Sequence, residues 1–225
     1  MSNFRFTKYD SFPPVIKNLI IINVLVWVAQ LIYDKENGQV TLWLTSKLGL
    51  WSVNTPFFKP YQVVTSMFAH ESYEVTEFDP SGHLTFFHIL FNMFALFMFG
   101  RVLENVWGAK RFLFFYLACG LGASLTHIIM QSINGEISVA LGASGAIMGV
   151  LVAFGYLFPN TELHFFGVLP VKAKWVVLGL ILVDLFGGFG RREGDNIGHF
   201  AHLGGALTGF IIVWIWNKTN RKTLY

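Results

Sequence analysis

Charge is the scarcest property of this chain. Asp, Glu, Lys and Arg together make up 13% of its 225 residues, about half the roughly 25% of an ordinary soluble domain. What replaces them is apolar: 54% of the sequence is hydrophobic and 17% aromatic, with a mean hydropathy of +0.54. Cysteine is nearly absent. The single residue Cys119 lies within an apolar run, which excludes an intramolecular disulfide and any multi-cysteine metal site and leaves a small packing residue. No basic patch with interleaved aromatics accompanies the net charge of +3, so nothing points to nucleic acid. Internal repeats and low-complexity linkers are also missing, and the chain reads as one membrane domain over residues 1–225.

Long apolar runs stand at 19–33, 83–100, 112–131, 139–157, 175–189 and 197–216, the fifth interrupted only by Asp184. They predict an all-α polytopic bundle of six transmembrane helices. No small-x-small cleavage site follows the first run before Tyr33, so that run is expected to remain as a signal anchor. Lys and Arg near the ends of short loops resist translocation and so set orientation. Arg5, Lys8, Lys17, Arg101, Lys110, Arg111, Lys172, Lys174, Lys218, Arg221 and Lys222 fall on one side of the predicted spans. The other side holds Lys35, Lys47, Lys59, Arg191 and Arg192 together with most of the acids. The N-terminus (1–14) and the tail (217–225) are therefore predicted to be cytoplasmic.

The first external loop, 34–82, is far longer than the usual connection. Its stretches 40–44, 48–51 and 61–68 are too apolar for a solvated linker and suit short helices lying in the interface, anchored by Trp43 and Trp51. The reading is a partly membrane-embedded brace.

Polar side chains inside apolar spans are costly and mark function by default. His88 and Asn92 are four apart and share a helix face. Ser144 follows the external Glu136 by eight residues, and His202 follows Asp195 by seven. At about 1.5 Å per helical residue, seven positions is on the order of 10 Å, so these groups descend to one level. Singly, each is more often packing or interhelical glue. Gly145 and Gly149 on the fourth helix, and Gly205 and Gly209 on the sixth, form small-residue faces that let Ser144 approach His202. A nucleophile, a base and donors to a developing oxyanion are what peptide hydrolysis needs. Ser144 and His202 fill the first two roles; His88, Asn92 and the Ser144 backbone N–H fill the third. No acid is evident to complete a triad, because Asp195 is two turns away and Asp184 sits on another helix, so a Ser-His dyad is expected. The nucleophile elbow G-x-S-x-G fails at Ala146. The zinc pattern H-E-x-x-H fails after His70-Glu71. His199 and His202 without a carboxylate make a poor metal site. No metal and no cofactor are expected.

Together these residues resemble the rhomboid intramembrane serine proteases, across nearly the whole chain. His83 to Asn92, with His88, is similar to the family's second-helix signature. Gly142-Ala143-Ser144-Gly145 is similar to its nucleophile motif, Ala201-His202-Leu203-Gly204-Gly205 with Gly209 to its histidine motif, and Gly100-Arg101 with Glu104 and Gly108 to its turn after the second helix. The resemblance implies Ser144 as nucleophile, His202 as general base and acid, and His88 with Asn92 as oxyanion donors. It also implies an externally open, water-holding cavity, a movable fifth helix (about 175–188) and cap (about 189–196), and transmembrane proteins as substrates alongside lipid as the surrounding partner. Three departures stand out: Met148 replaces an aromatic residue four after the serine, Tyr61-Gln62 replaces a Trp-Arg pair, and an acidic insertion occupies about 71–82. The alternatives are a catalytically silent relative that binds membrane clients, and a small transporter. The short six-span plan points to a bacterial plasma membrane, with the site opening outward.

Overall fold

A computed structural model of the chain describes residues 10–76, 79–135, 137–165, 169–189 and 198–219. Helix α1 (Pro14–Tyr33) begins with proline, whose missing N–H removes nothing at a first helical position. The next two donors are taken by a distant carboxylate: Glu104 accepts from the N–H groups of Val15 and Ile16 at 2.9 and 2.8 Å. Negative charge at the positive end of a helix is favourable, and here it ties α1 to a later helix.

The first loop has structure of its own. It holds β1 (Lys35–Glu36) paired with β2 (Gln39–Val40), then α2 (Trp43–Leu48), β3 (Leu50–Trp51), and α3 (Gln62–Thr65) running into a 3₁₀ turn (Ser66–Phe68). The hairpin β4 (Tyr73–Thr76) and β5 (Asp79–Leu84) ends it. The helix expected at 40–44 is thus displaced to 43–48, and the one expected at 48–51 is a strand. The acidic insertion is the hairpin, so His83 belongs to β5 rather than to a helix.

Buried polar groups fix this loop in place. Gln30 of α1 donates to the carbonyl of His70 at 2.7 Å and accepts its N–H at 2.9 Å, and the His70 ring meets Asn23 at 2.8 Å. Asp34 accepts the N–H groups of Leu44 and Thr45, capping α2, and the hydroxyl of Ser72 at 2.8 Å. Gln62 stands where the resemblance leads one to expect arginine. It is buried, accepts from the N–H of Lys59 at 3.0 Å, and donates to the carbonyls of Phe57 and Lys47 at 3.2 and 3.3 Å. A neutral amide, with donors and an acceptor, holds the loop that the Tyr61-Gln62 departure had put in question.

Helix α4 (Phe87–Ala95) continues through a π turn (Leu96–Gly100) into α5 (Arg101–Trp107). Gly108, at φ 82°, separates it from α6 (Ala109–Asn134). After β6 (Val139–Ala140) come α7 (Ser144–Leu157), the hairpin β7 (Glu162–Phe165) and β8 (Leu169–Lys172), α8 (Ala173–Phe189) and α9 (Gly198–Thr219). The expected cap, 189–196, lies outside the described residues apart from Phe189. Pro14–Tyr33, Phe87–Trp107, Ala109–Asn134 and Gly198–Thr219 are long and apolar enough to cross a membrane. The chain is a mostly helical, multi-pass membrane protein.

Helix α7 is the centre. Nearly every residue from Gly145 to Leu157 is buried, as befits a helix apolar on all sides. With 14 residues it is only about 21 Å long, short of a bilayer core of about 30 Å. The fourth span was expected to be helical from Val139. Instead 139–140 pairs with β3, Leu50 opposite Ala140 and Trp51 opposite Val139. Backbone that leaves the helix beside an apolar core needs partners within the protein, and β3 supplies them here. Around α7, glycine sets the spacing. A Cβ on Gly205 collides with the carbonyl of Gly145, and one on Gly209 comes within 2.7 Å of the Gly149 Cα. The two small-residue faces predicted for the fourth and sixth helices are in contact, backbone to backbone.

Gly205→Val is accordingly expected to lower stability by roughly 1–3 kcal/mol or more, read as a lower unfolding midpoint in detergent micelles; an unchanged midpoint contradicts this packing. The loop generates a second expectation. Burial, and secondarily the neighbouring His88, lowers the His70 pKa from 6.5 to about 3. The unfolded chain therefore binds the extra proton first as pH falls, so this contribution to stability is present above about pH 6.5 and is lost on descending toward about pH 3. Acidification from about pH 7 to about pH 4 should lower the midpoint of the wild type, and should do so less in His70→Gln. Equal acid sensitivity in the two proteins rules out His70 as the cause.

Candidate active site

Ser144 is the first residue of α7. The first N–H groups of a helix have no intrahelical acceptor and carry the positive end of its dipole, so the serine hydroxyl sits beside backbone donors. The turn before it is built by Gly142, at φ 116°, whose N–H donates to the carbonyl of Ser66 at 2.9 Å. A Cβ there stands 2.9 Å from His88 Nε2, so only glycine lets that ring lie against the turn. In place of a helical approach to Ser144, residues 139–140 form a strand and this turn follows it.

His202 approaches from α9, and its Nε2 lies 2.8 Å from Ser144 Oγ. The nucleophile and base expected from sequence are in hydrogen-bond contact. His88 is beside them on α4. Its Nδ1 accepts the N–H of Glu71 at 3.3 Å, which leaves the proton of the neutral ring on Nε2, the nitrogen facing Gly142. Asn92, one turn further along, gives one amide hydrogen to the carbonyl of His88 at 2.8 Å and does not line the cavity in front of Ser144. Of the four expected site residues, Ser144, His202 and His88 therefore meet in one place, and Asn92 is one turn along α4 from His88, outside the cavity lining.

The other nitrogen of His202 corrects an expectation. Its Nδ1 is 2.9 Å from Asp184 Oδ1, and His199 Nδ1 is 2.8 Å from the same oxygen. An acid does reach the base, although a dyad without one was expected. Asp184 is on α8 and His202 on α9, and the two helices pack side by side, so residues 18 apart in the chain come together. The signal was in the sequence: Asp184 alone interrupts the fifth apolar run, and an intramembrane acid needs a partner. The same contact supplies the carboxylate whose absence argued against the His199–His202 pair as metal ligands. Ligand atoms of Asp184, His199 and His202 lie within 4.8 Å of one another, but both Nδ1 atoms are engaged by the carboxylate, and a metal ion must displace those hydrogen bonds.

A cavity of about 590 Å³ fronts the site. Ser66, Ser124, His127 and Ser138 give it a polar side, with Met67 and Trp51 among its apolar lining. Polar groups in a space of this size admit water. His127, without an assigned role in the sequence, is thus a cavity residue. Met148 is buried in the central apolar cluster.

Comparison with known proteins agrees with this architecture. The family model described as the Rhomboid domain matches residues 80–219, which includes α4 through α9. The chain is 34% identical over 144 residues to "Rhomboid protein 1, mitochondrial" of Saccharomyces cerevisiae, covering 63% of this chain and 41% of that protein. It is 26% identical over 223 residues to "Rhomboid-like protein 11, chloroplastic" of Arabidopsis thaliana, covering 89% of this chain and 64% of the relative. With "Rhomboid protease GluP" of Bacillus subtilis it shares 31% identity over 128 residues, 57% of this chain and 23% of the relative. The chain thus spans less than two thirds of the length of each. These relatives carry mitochondrial and chloroplastic names and one comes from a bacterium, so kinship does not single out the bacterial plasma membrane expected from the span count. With a match over more than half its length, covering every helix that forms the site, the chain belongs to the rhomboid family.

Proposed function

We propose that the chain is an intramembrane serine endopeptidase that hydrolyses peptide bonds in or near the transmembrane segments of membrane proteins, with Ser144 as nucleophile and His202 as general base and acid. The observation that carries this reading is the 2.8 Å contact between Ser144 Oγ and His202 Nε2, both of which line the cavity. The relative named as a rhomboid protease supports it, and the presence of both groups disfavours a silent client-binding relative.

In this scheme His202 Nε2 takes the hydroxyl proton as Ser144 Oγ attacks the scissile carbonyl, and the carbonyl oxygen gains the negative charge. The Ser144 N–H and the His88 Nε2–H flank that position; the second amide hydrogen of Asn92 belongs to the same helix face. His202 then protonates the leaving amine, the peptide bond breaks, and an acyl-serine remains. Water from the cavity attacks the ester with His202 again as base, which frees the carboxylate product and returns the proton to Ser144. No metal and no cofactor enter.

The remaining features belong to the same proposal. All six helical segments cross the bilayer as one domain, with the β7–β8 hairpin joining α7 to α8. Both termini lie on the side rich in Lys and Arg, and the site opens to the other. The first loop lies partly in the membrane interface against α1. A helical substrate must unwind before its peptide bond is attacked, because a helical carbonyl is already hydrogen-bonded and shielded.

Purified protein is expected to cleave a single-span model substrate, and Ser144→Ala and His202→Ala each abolish cleavage while keeping the wild-type unfolding midpoint. His88→Ala is expected to reduce kcat on the order of 100- to 1,000-fold, as for loss of one oxyanion donor, and Asn92→Ala by less, about 10-fold, since Asn92 is not among the cavity-lining residues. Cleavage at the wild-type rate by Ser144→Ala defeats the mechanism.

A further inference from the structure

We propose that Asp184 is a positioning residue that fixes the tautomer of the base, an inference that rests on the Ser144–His202 reading above. Both ring nitrogens of His202 are engaged, Nδ1 by Asp184 Oδ1 at 2.9 Å and Nε2 by Ser144 Oγ at 2.8 Å. A neutral imidazole has one donor and one acceptor nitrogen, and a carboxylate only accepts. Asp184 therefore requires the proton on Nδ1, and the lone pair is left on Nε2, where Ser144 needs an acceptor. With the proton on Nε2 instead, both groups at that contact are donors and the hydroxyl proton has nowhere to go.

The carboxylate is itself held. His199 donates from Nδ1 to the same oxygen at 2.8 Å, and it lies three residues before His202, on the same face of α9. The side chain of Asp184 is only 9% exposed, against 24% and 28% for the two histidines. The neighbouring turn of α8 is shaped for this pair of rings. A Cβ on Gly187 meets His199 ring atoms at 2.5 to 2.8 Å, and one on Gly188 meets the Phe200 ring at 3.0 Å. Asp184 and Gly187 on α8 thus match His202 and His199 on α9: the glycine lets the first ring in, and the acid bonds both.

The bilayer raises the value of such a device. A charged carboxylate in an apolar span is expensive unless paired, so its retention against two imidazoles indicates work done there. Two histidines hydrogen-bonded to it through Nδ1 satisfy one oxygen fully, and the site needs no added cation to do so. The consequence is that α8, which contributes no residue to the cavity lining among the described residues, takes part in the chemistry through His202.

The test uses the full chain in micelles with a single-span model substrate, comparing wild type, Asp184→Asn, Asp184→Glu and Ser144→Ala. Asp184→Asn keeps the shape and the unfolding midpoint, while its amide can donate to Nδ1 and favour the wrong tautomer. The expected result is a fall in kcat on the order of 100- to 10,000-fold with KM within about threefold of wild type, the pattern of an interaction that matters in the transition state. Asp184→Glu, which restores a carboxylate, is expected to recover part of kcat. A kcat for Asp184→Asn within about threefold of wild type overturns the inference, and so does activity that requires added zinc, because the cluster is then a metal centre. If wild type itself does not cleave, or Ser144→Ala cleaves equally well, it is the serine-hydrolase reading that fails. Histidine ¹⁵N resonances of the unmutated protein, assigned with His202→Gln, give a reading that survives misfolding of the Asp184 variants. A proton on Nδ1 of His202 is expected, and a proton on Nε2 overturns the proposal.

Discussion

The approach of α7 to α9 governs everything else in this molecule. Ser144 and His202, 58 residues apart in sequence, come from different helices, and their hydrogen bond requires the helix backbones to touch. Lipid tails supply little hydrophobic driving force between helices, so close van der Waals packing must do it, and small residues are what allow it. Gly145 faces Gly205, and Gly149 faces Gly209. One added methyl group at Gly205 separates the helices by more than a hydrogen bond between Oγ and Nε2 can tolerate.

Close packing at the centre then obliges the rest of the chain to bring polar backbone into an apolar setting. Starting α7 at Ser144 leaves residues before it without helical hydrogen bonds, and the chain answers by pairing 139–140 with β3 and by giving the Gly142 N–H to Ser66. Those partners belong to the first loop, so the loop must be rigid. Its rigidity comes from Asn23, Gln30 and Asp34 on or beside α1, and from Gln62 within it. Glu104 closes the circuit by capping α1 from α5. The brace and the serine turn are therefore one hydrogen-bonded unit, and His88 is held within it through the N–H of Glu71.

Much of this was readable from residues alone, and the misses have physical causes. Hydropathy located the long helices because a bilayer imposes length on apolar runs. Glycine spacing foretold which faces meet, and it foretold Ser144 against His202. The start of α7 was misplaced because Val139 to Leu141 are as apolar as a helix interior, and hydropathy does not distinguish a buried strand from a buried helix. The hairpin at 73–84 has no clear register signal in its sequence, and its pairing is irregular between Glu74 and Thr76. Asp184 interrupts its apolar run visibly, but its distance from His202 depends on how α8 packs against α9, which no local pattern reports. Spacing puts Asn92 on the helix face of His88, but its bond to the carbonyl of His88 depends on side-chain rotation that spacing does not specify.

Whether this packing activates Ser144 as a nucleophile is read most directly by covalent labelling with a fluorophosphonate probe, which needs no knowledge of the substrate. Labelling of the wild-type chain at Ser144, its loss in Ser144→Ala and its near loss in His202→Ala are the outcomes the account predicts. Labelling that persists undiminished in Ser144→Ala contradicts it.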